Sequence, residues 1–282
     1  MNNKTKIMLG LSVLTAGTLA AGATGTLAWF TTNKTATAVY NKITAQGTQG
    51  NLNISITGVT DATAKGTEGK TTEAASAFSK TADVSSTNGL TFAQPDWKAE
   101  AGNSKSYYKV KDVSTETGFF TQYIVSITNK GEGTVNLYLD GSSAIGGTET
   151  GHDLSLQQWT RVAIIVGAKS ENGFLKTTKT KADYLFQKKP VSEENAKKYI
   201  APTDDAGDAL TLLDCNPTPV NSFETVASAT DETLAKQIVK ENVAAGETVE
   251  VGVAVWLEGT MQDDQDNAKT GKISITLGFA AK

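Results

Sequence analysis

Short stretches in which apolar and polar residues alternate recur along this chain, and they constrain it to β-structure. Leu52-Asn53-Ile54-Ser55-Ile56 alternates as a half-buried strand should. Residues 123–127 and 135–139 flank Asn129-Lys130-Gly131-Glu132-Gly133 and read as a hairpin. The Asn and the two glycines are expected to supply the positive-φ positions of its connection. Residues 161–166 are almost continuously apolar, the pattern of a strand covered on both faces. Residues 249–257, an acidic loop, and residues 272–279 read as two further strands with a long connection. Helical signals are fewer. Residues 192–199 carry a cap-like Ser192, acids at the start and lysines at the end. Residues 231–239 suit a second helix, while Ile238, Val239 and Val243 suit an extended segment equally. Residues 58–86, rich in Thr, Ala, Ser, Gly and Lys, read as a long surface excursion. The expected fold is therefore all-β: an antiparallel two-layer sandwich of jelly-roll type, with inserted loops and one or two short helices.

Ahead of the strands, Lys4 and Lys6 precede residues 7–23, which carry no charge. Thr26 and Ala28 then place small side chains at the two positions a signal peptidase reads. Residues 1–28 are expected to be a secretory signal peptide cut between Ala28 and Trp29. The alternative is a retained membrane helix. Against it stand Gly10, Gly17, Gly22 and Gly25 inside the segment, and no cluster of positive charge follows to halt transfer. Removing 28 of the 282 residues leaves 254, enough for one large all-β domain. That domain is expected over residues 49–282, preceded by an N-terminal segment of residues 29–48. The chain carries a net charge of −4, and the leader holds two lysines and no acid, so the cleaved chain is near −6. Such a balance lacks the basic footprint that nucleic acid requires. Cys215 is the single cysteine, so no intramolecular disulfide forms and packing alone must stabilise the exported chain.

Three patches carry a resemblance. The first is Ala28-Trp29-Phe30-Thr31-Thr32, followed by a Thr/Ala/Asn tract to Asn41 and then Gly50-Asn51-Leu52-Asn53-Ile54-Ser55-Ile56. The second is Val125-Ser126-Ile127-Thr128-Asn129-Lys130-Gly131. The third is Val253-Ala254-Val255-Trp256-Leu257-Glu258-Gly259-Thr260, with Asp263-Asp264-Gln265-Asp266-Asn267 behind it. Together they resemble the TasA/camelysin family of Gram-positive exported proteins, whose leaders are cut by a SipW-type signal peptidase. Residues 58–118 and 170–245 have no counterpart in that pattern. The acidic loop also lacks the cysteine some relatives carry, and has Met261 where an Asp is often found.

The resemblance implies a secreted β-sandwich subunit of extracellular biofilm-matrix fibres, in the matrix or at the cell surface. In such a fibre the new N-terminus of one subunit adds a strand to the next. The implied partners are other copies of this chain, the SipW-type peptidase and, as the alternative to a pure homopolymer, an accessory assembly protein. Residues 29–45 suit that role physically: they are rich in β-branched Thr, and a segment so poor in apolar residues does not fold alone. On a neighbour's open sheet edge its amides find partners, with Trp29, Phe30, Val39 and Ile43 as apolar anchors. A frayed terminus, or a segment folded back on its own sheet, is the plainer reading of the same residues.

Catalysis finds little support. His152 is the single histidine, whereas a common zinc protease uses two histidines one helical turn apart with a Glu between. A camelysin-like surface metalloprotease is nevertheless the alternative function the resemblance brings with it. A monomeric surface adhesin or binding protein is the third reading. No cofactor is expected. Asp263, Asp264 and Asp266 are the one candidate set for a Ca²⁺ ion, but Ala268 occupies the next ligand slot of an EF-hand pattern. Trp256 reads as core packing, and Glu258 as a strand-end contact to backbone or lysine.

Overall fold

The computed structural model describes residues 37–64, 69, 71–75, 79–81, 84–99, 106–149, 157, 160–188, 219–258 and 270–282. In chain order the first half forms β1 (Thr37–Gln49), β2 (Leu52–Thr60), β3 (Thr63–Ala64), β4 (Thr71–Ala75), β5 (Ser79–Thr81), β6 (Ala93–Ala99), β7 (Ser106–Asp112), β8 (Thr121–Asn129) and β9 (Val135–Leu139). The second half adds β10 (Ala144–Glu149), β11 (Thr160–Val166), β12 (Lys169–Glu171), β13 (Phe174–Lys176), β14 (Tyr184–Gln187) and β15 (Pro219–Val220). After these come helix α1 (Asp231–Ala235), β16 (Ile238–Val243), β17 (Thr248–Leu257) and β18 (Thr270–Ala281). The protein is all-β, as its alternating pattern demands.

Two sheets dominate. The first runs β16-β9-β18-β1-β4-β3, with β10 also on β18 and β5 also on β1; the second runs β15-β14-β11-β17-β8-β2. They bury one shared core. Leu137, Leu139, Ile273, Ile275, Leu277 and Phe279 enter from the first sheet, and Ile54, Ile56, Val125, Ile127, Val162 and Ile164 from the second. β17 shows how a nearly continuous apolar strand divides its labour. Val249, Val251, Val253, Val255 and Leu257 face the shared core, while Ala254 and Trp256 face a second cluster on the other side. That cluster includes Phe92, Val113 and Phe120, so a third layer covers the outside of the second sheet. β11 has the same two-sided burial, as its apolar run predicts. At Gly252 the third layer comes so close that a Cβ would stand 2.6 Å from Ala168 Cβ.

Several local expectations are corrected. β8 and β9 are strands at the expected places but do not form a hairpin: β8 pairs with β2 and β17 in one sheet, β9 with β16 and β18 in the other. Their connection crosses between the layers, because both strands bury a face in the same core. Positive φ is not what shapes it, since neither Asn129 nor Gly131 nor Gly133 adopts one. The Asn129 side chain does so instead, donating to Gly133 O at 2.8 Å and Val243 O at 3.1 Å and accepting from Gly131 N at 2.9 Å. Residues 231–239 divide between both expectations. Thr230 caps a helix of five residues, and Ile238 onward, β-branched and within reach of β9, continues as β16. Residues 58–86 are not simply an excursion, because β4 and β5 pair with β1. The helix expected over residues 192–199 lies outside the described residues.

Candidate functional site

β1 is the first described strand, yet it lies inside the first sheet and not at an edge. On one side it runs parallel to β18, from Thr37 opposite Thr270 to Gln49 opposite Ala280. On the other it pairs antiparallel with β5 and β4, with Val39 opposite Ser79 and Ile43 opposite Ala74. A parallel pair requires a crossover connection. Here the crossover is almost the whole chain, since its partners are the first and last strands.

The register explains why this segment fits. Ile43 stands opposite Ile275, Ala45 opposite Leu277 and Gly47 opposite Phe279, and Ala45, Ile275, Leu277 and Phe279 are all buried. A register shift falls between Tyr40 and Lys42, where the backbone partners are Tyr40 with Ile273 and Val39 with Lys272.

β1 leaves its sheet at a tight hinge. Gly50 has φ of +75°, and a Cβ there would meet Ala281 Cβ at 2.8 Å, so the position needs glycine for conformation and for space. Thr48 Oγ1 donates to Phe279 O at 3.2 Å, and Lys130 N donates to Asn51 O at 2.7 Å. The next strand, β2, belongs to the other sheet. One hinge is thus the sole described link between β1 and the rest of the chain.

At its other end β1 joins a crowded rim. Thr37 lies beside Thr270 and Thr81, and Glu149 lies beside Gly271. Across the second sheet Thr160 meets Leu257 and Arg161 meets Gln187. Just past β17, Val84 bridges Glu258 and Ser85 bridges Ala93. The segments preceding Thr37, following Glu149, following Gln187 and joining Glu258 to Thr270 all open from this rim. His152 and the aspartates Asp263, Asp264 and Asp266 belong to two of them and lie outside the described residues, as do Ala28, Trp29 and Phe30.

Some of the rim's described polar groups are paired within the fold. Trp256 Nε1 donates to Glu258 Oε2 at 3.1 Å, and both residues are buried. The Glu258 carboxylate therefore has an indole partner, a contact the sequence reading did not foresee. Trp256 packs edge-on against Phe92 at 5.3 Å, as a core residue. The buried Gln157 accepts from the Lys188 ammonium. Among the described residues, no group of three or more His, Cys, Asp or Glu could hold a metal ion. None of their helices is long and apolar enough to cross a membrane.

No family model, curated protein or solved structure matches the chain. The geometry of β1 accordingly carries the functional reading. Sequence reasoning located β1 but missed its neighbours β4 and β5. Thr71-Thr72-Glu73-Ala74-Ala75 and Ser79-Lys80-Thr81 show no apolar alternation, so only the threonines hint at extended structure.

Proposed function

We propose that this chain is a secreted structural subunit of extracellular fibres, of jelly-roll type and TasA-like, released by cleavage after Ala28 and assembled through its N-terminal strand. The observation that carries the reading is the parallel pairing of β1 with β18. Because Gly50-Asn51 is the sole described link between β1 and the rest, a second copy can supply the same strand in the same register. Every ladder bond to β18, β4 and β5 is then kept. One subunit gives a strand and receives one elsewhere, a head-to-tail contact that propagates without closing.

The slot's position refines the idea of addition at an open edge. β1 is flanked on both sides, so withdrawing it breaks two ladders and uncovers Ile275, Leu277 and Phe279. Exchange therefore belongs to the folding of newly cleaved chains, before each has closed on its own strand. The leader holds residues 29–48 at the membrane until that moment. Electron microscopy of the chain beginning at Trp29 tests this: filaments are expected to appear with rising concentration. Loss of filaments is expected when residues 29–45 are removed, and a shortened chain that polymerises as well would overturn strand donation.

A further inference from the structure

An asparagine followed by glycine is open to attack on its side chain by the glycine's own amide nitrogen, because no Cβ hinders the approach. The chain contains this pair twice, at Asn88-Gly89 and Asn172-Gly173. The fold treats the two differently. Asn88 Oδ1 accepts from Leu90 N at 2.8 Å, Thr91 N at 2.9 Å and Thr91 Oγ1 at 3.1 Å. Gly89 N donates to Ser86 Oγ at 2.9 Å. Gly89 is buried, and a Cβ there would stand 2.6 Å from Ala163 Cβ. Both reacting groups of that pair are engaged, and packing keeps water from them.

Asn172 and Gly173 are the two central residues of the turn between β12 and β13. Their φ values of +53° and +80° make it the two-residue turn that asparagine and glycine favour. Both are exposed, and a Cβ on Gly173 would meet nothing within 4 Å. Among the described residues, none hydrogen-bonds to the Asn172 side chain and none accepts from Gly173 N. The hairpin has three register pairs, and β12 is exposed along its whole length. So short a hairpin opens locally at little cost, which lets Gly173 N reach Asn172 Cγ.

We propose that Asn172 is a site of self-modification whose product loosens the β12-β13 hairpin from the outer layer. Gly173 N attacks Asn172 Cγ, closing a succinimide ring, and the side-chain nitrogen leaves as ammonia carrying the Gly173 proton. Water then opens the ring at either carbonyl and leaves aspartate or isoaspartate at position 172. Water is the only co-reactant. Both products add a negative charge, and isoaspartate also lengthens the main chain by one carbon inside the turn. Thr60 Oγ1 donates to Gly173 O at 2.5 Å and Leu175 N to Gln122 Oε1 at 2.9 Å, which ties the hairpin to the second sheet. Phe174 and Leu175 pack against the outer cluster. A lengthened turn cannot keep both ties in register. The proposal stands apart from the fibre reading.

Peptide mass spectrometry of the purified chain, aged in mildly alkaline buffer, tests the modification. Conversion is read as a gain of about one dalton, with isoaspartate detected by enzymatic methylation. Position 172 should convert at least about tenfold faster than position 88 in the folded chain. In denaturant the two rates should come together, since glycine follows both asparagines. S86A, which removes the acceptor of Gly89 N, should speed conversion at position 88 and leave position 172 unchanged. Equal rates in the folded chain, or no conversion at position 172, would overturn the proposal. Amide exchange on the aged chain reads the consequence. Leu175 N should exchange faster in the isoaspartate fraction, with β8 and β17 unchanged as proof of folding. Leu175 protection that survives isoaspartate formation would overturn the loosening.

Discussion

Replacing Asn129 by alanine removes three side-chain hydrogen bonds at once from a site only 2% exposed. Two carbonyls and one amide lose their partner where water reaches poorly, and each orphaned group carries its own desolvation cost. The expected loss is about 2–4 kcal/mol, read as a lower urea midpoint with unchanged slope. A second residue makes a prediction about alkaline pH. Tyr184 reaches from β14 in one sheet to donate its hydroxyl to Ile238 O, in the other, at 2.5 Å. Burial, and secondarily the charge of Asp183, pushes that hydroxyl up to about 12. An unfolded tyrosine titrates near 10, so between the two values the folded state keeps a proton that the unfolded state has lost. The contribution to stability is complete below about pH 10 and disappears as pH rises through about 12. Tyr184→Phe should remove this part of the alkaline loss, so its stability should fall less steeply than the parent's across that window.

Among the elements, β17 was the most legible in sequence. Its run Val-Glu-Val-Gly-Val-Ala-Val-Trp-Leu reveals a strand, and the structure shows that the valines serve one core while Ala254 and Trp256 serve another. Gly252 marks a close approach of the outer layer. Gly252→Ala forces its methyl toward Ala168 and Leu175, and should cost about 1–3 kcal/mol in denaturant unfolding without altering m. Pairing was less legible than existence. β8 and β9 were visible as apolar segments, but whether neighbours in sequence pair or cross between layers is decided by which core each face reaches. Nothing local in residues 129–135 records that choice except Asn129, whose side chain holds the crossing through three hydrogen bonds. β4 and β5 were hidden because they are short, five and three residues, and carry no apolar alternation. At the candidate site the same limit applied. The sequence marks Ile43 as an anchor, but the register shift between Tyr40 and Lys42 leaves no mark in composition.

At the scale of the molecule, the first described strand runs beside the last, and among the described residues one hinge at Gly50-Asn51 links it to the rest. On the proposed function, such a chain has a second solution with the same contacts besides closing on its own β1: it takes β1 from a neighbour and passes its own onward. Concentration during folding would then select between the two. Cross-linking reads the outcome directly. Thr44 and Thr276 are register partners across β1 and β18, and a T44C/T276C pair in a C215S background can bridge them. Filaments oxidised and run on a denaturing, non-reducing gel should give a ladder of covalent oligomers, because each bridge joins two chains. Filaments that yield only single chains, each closed on its own β1, would contradict strand donation.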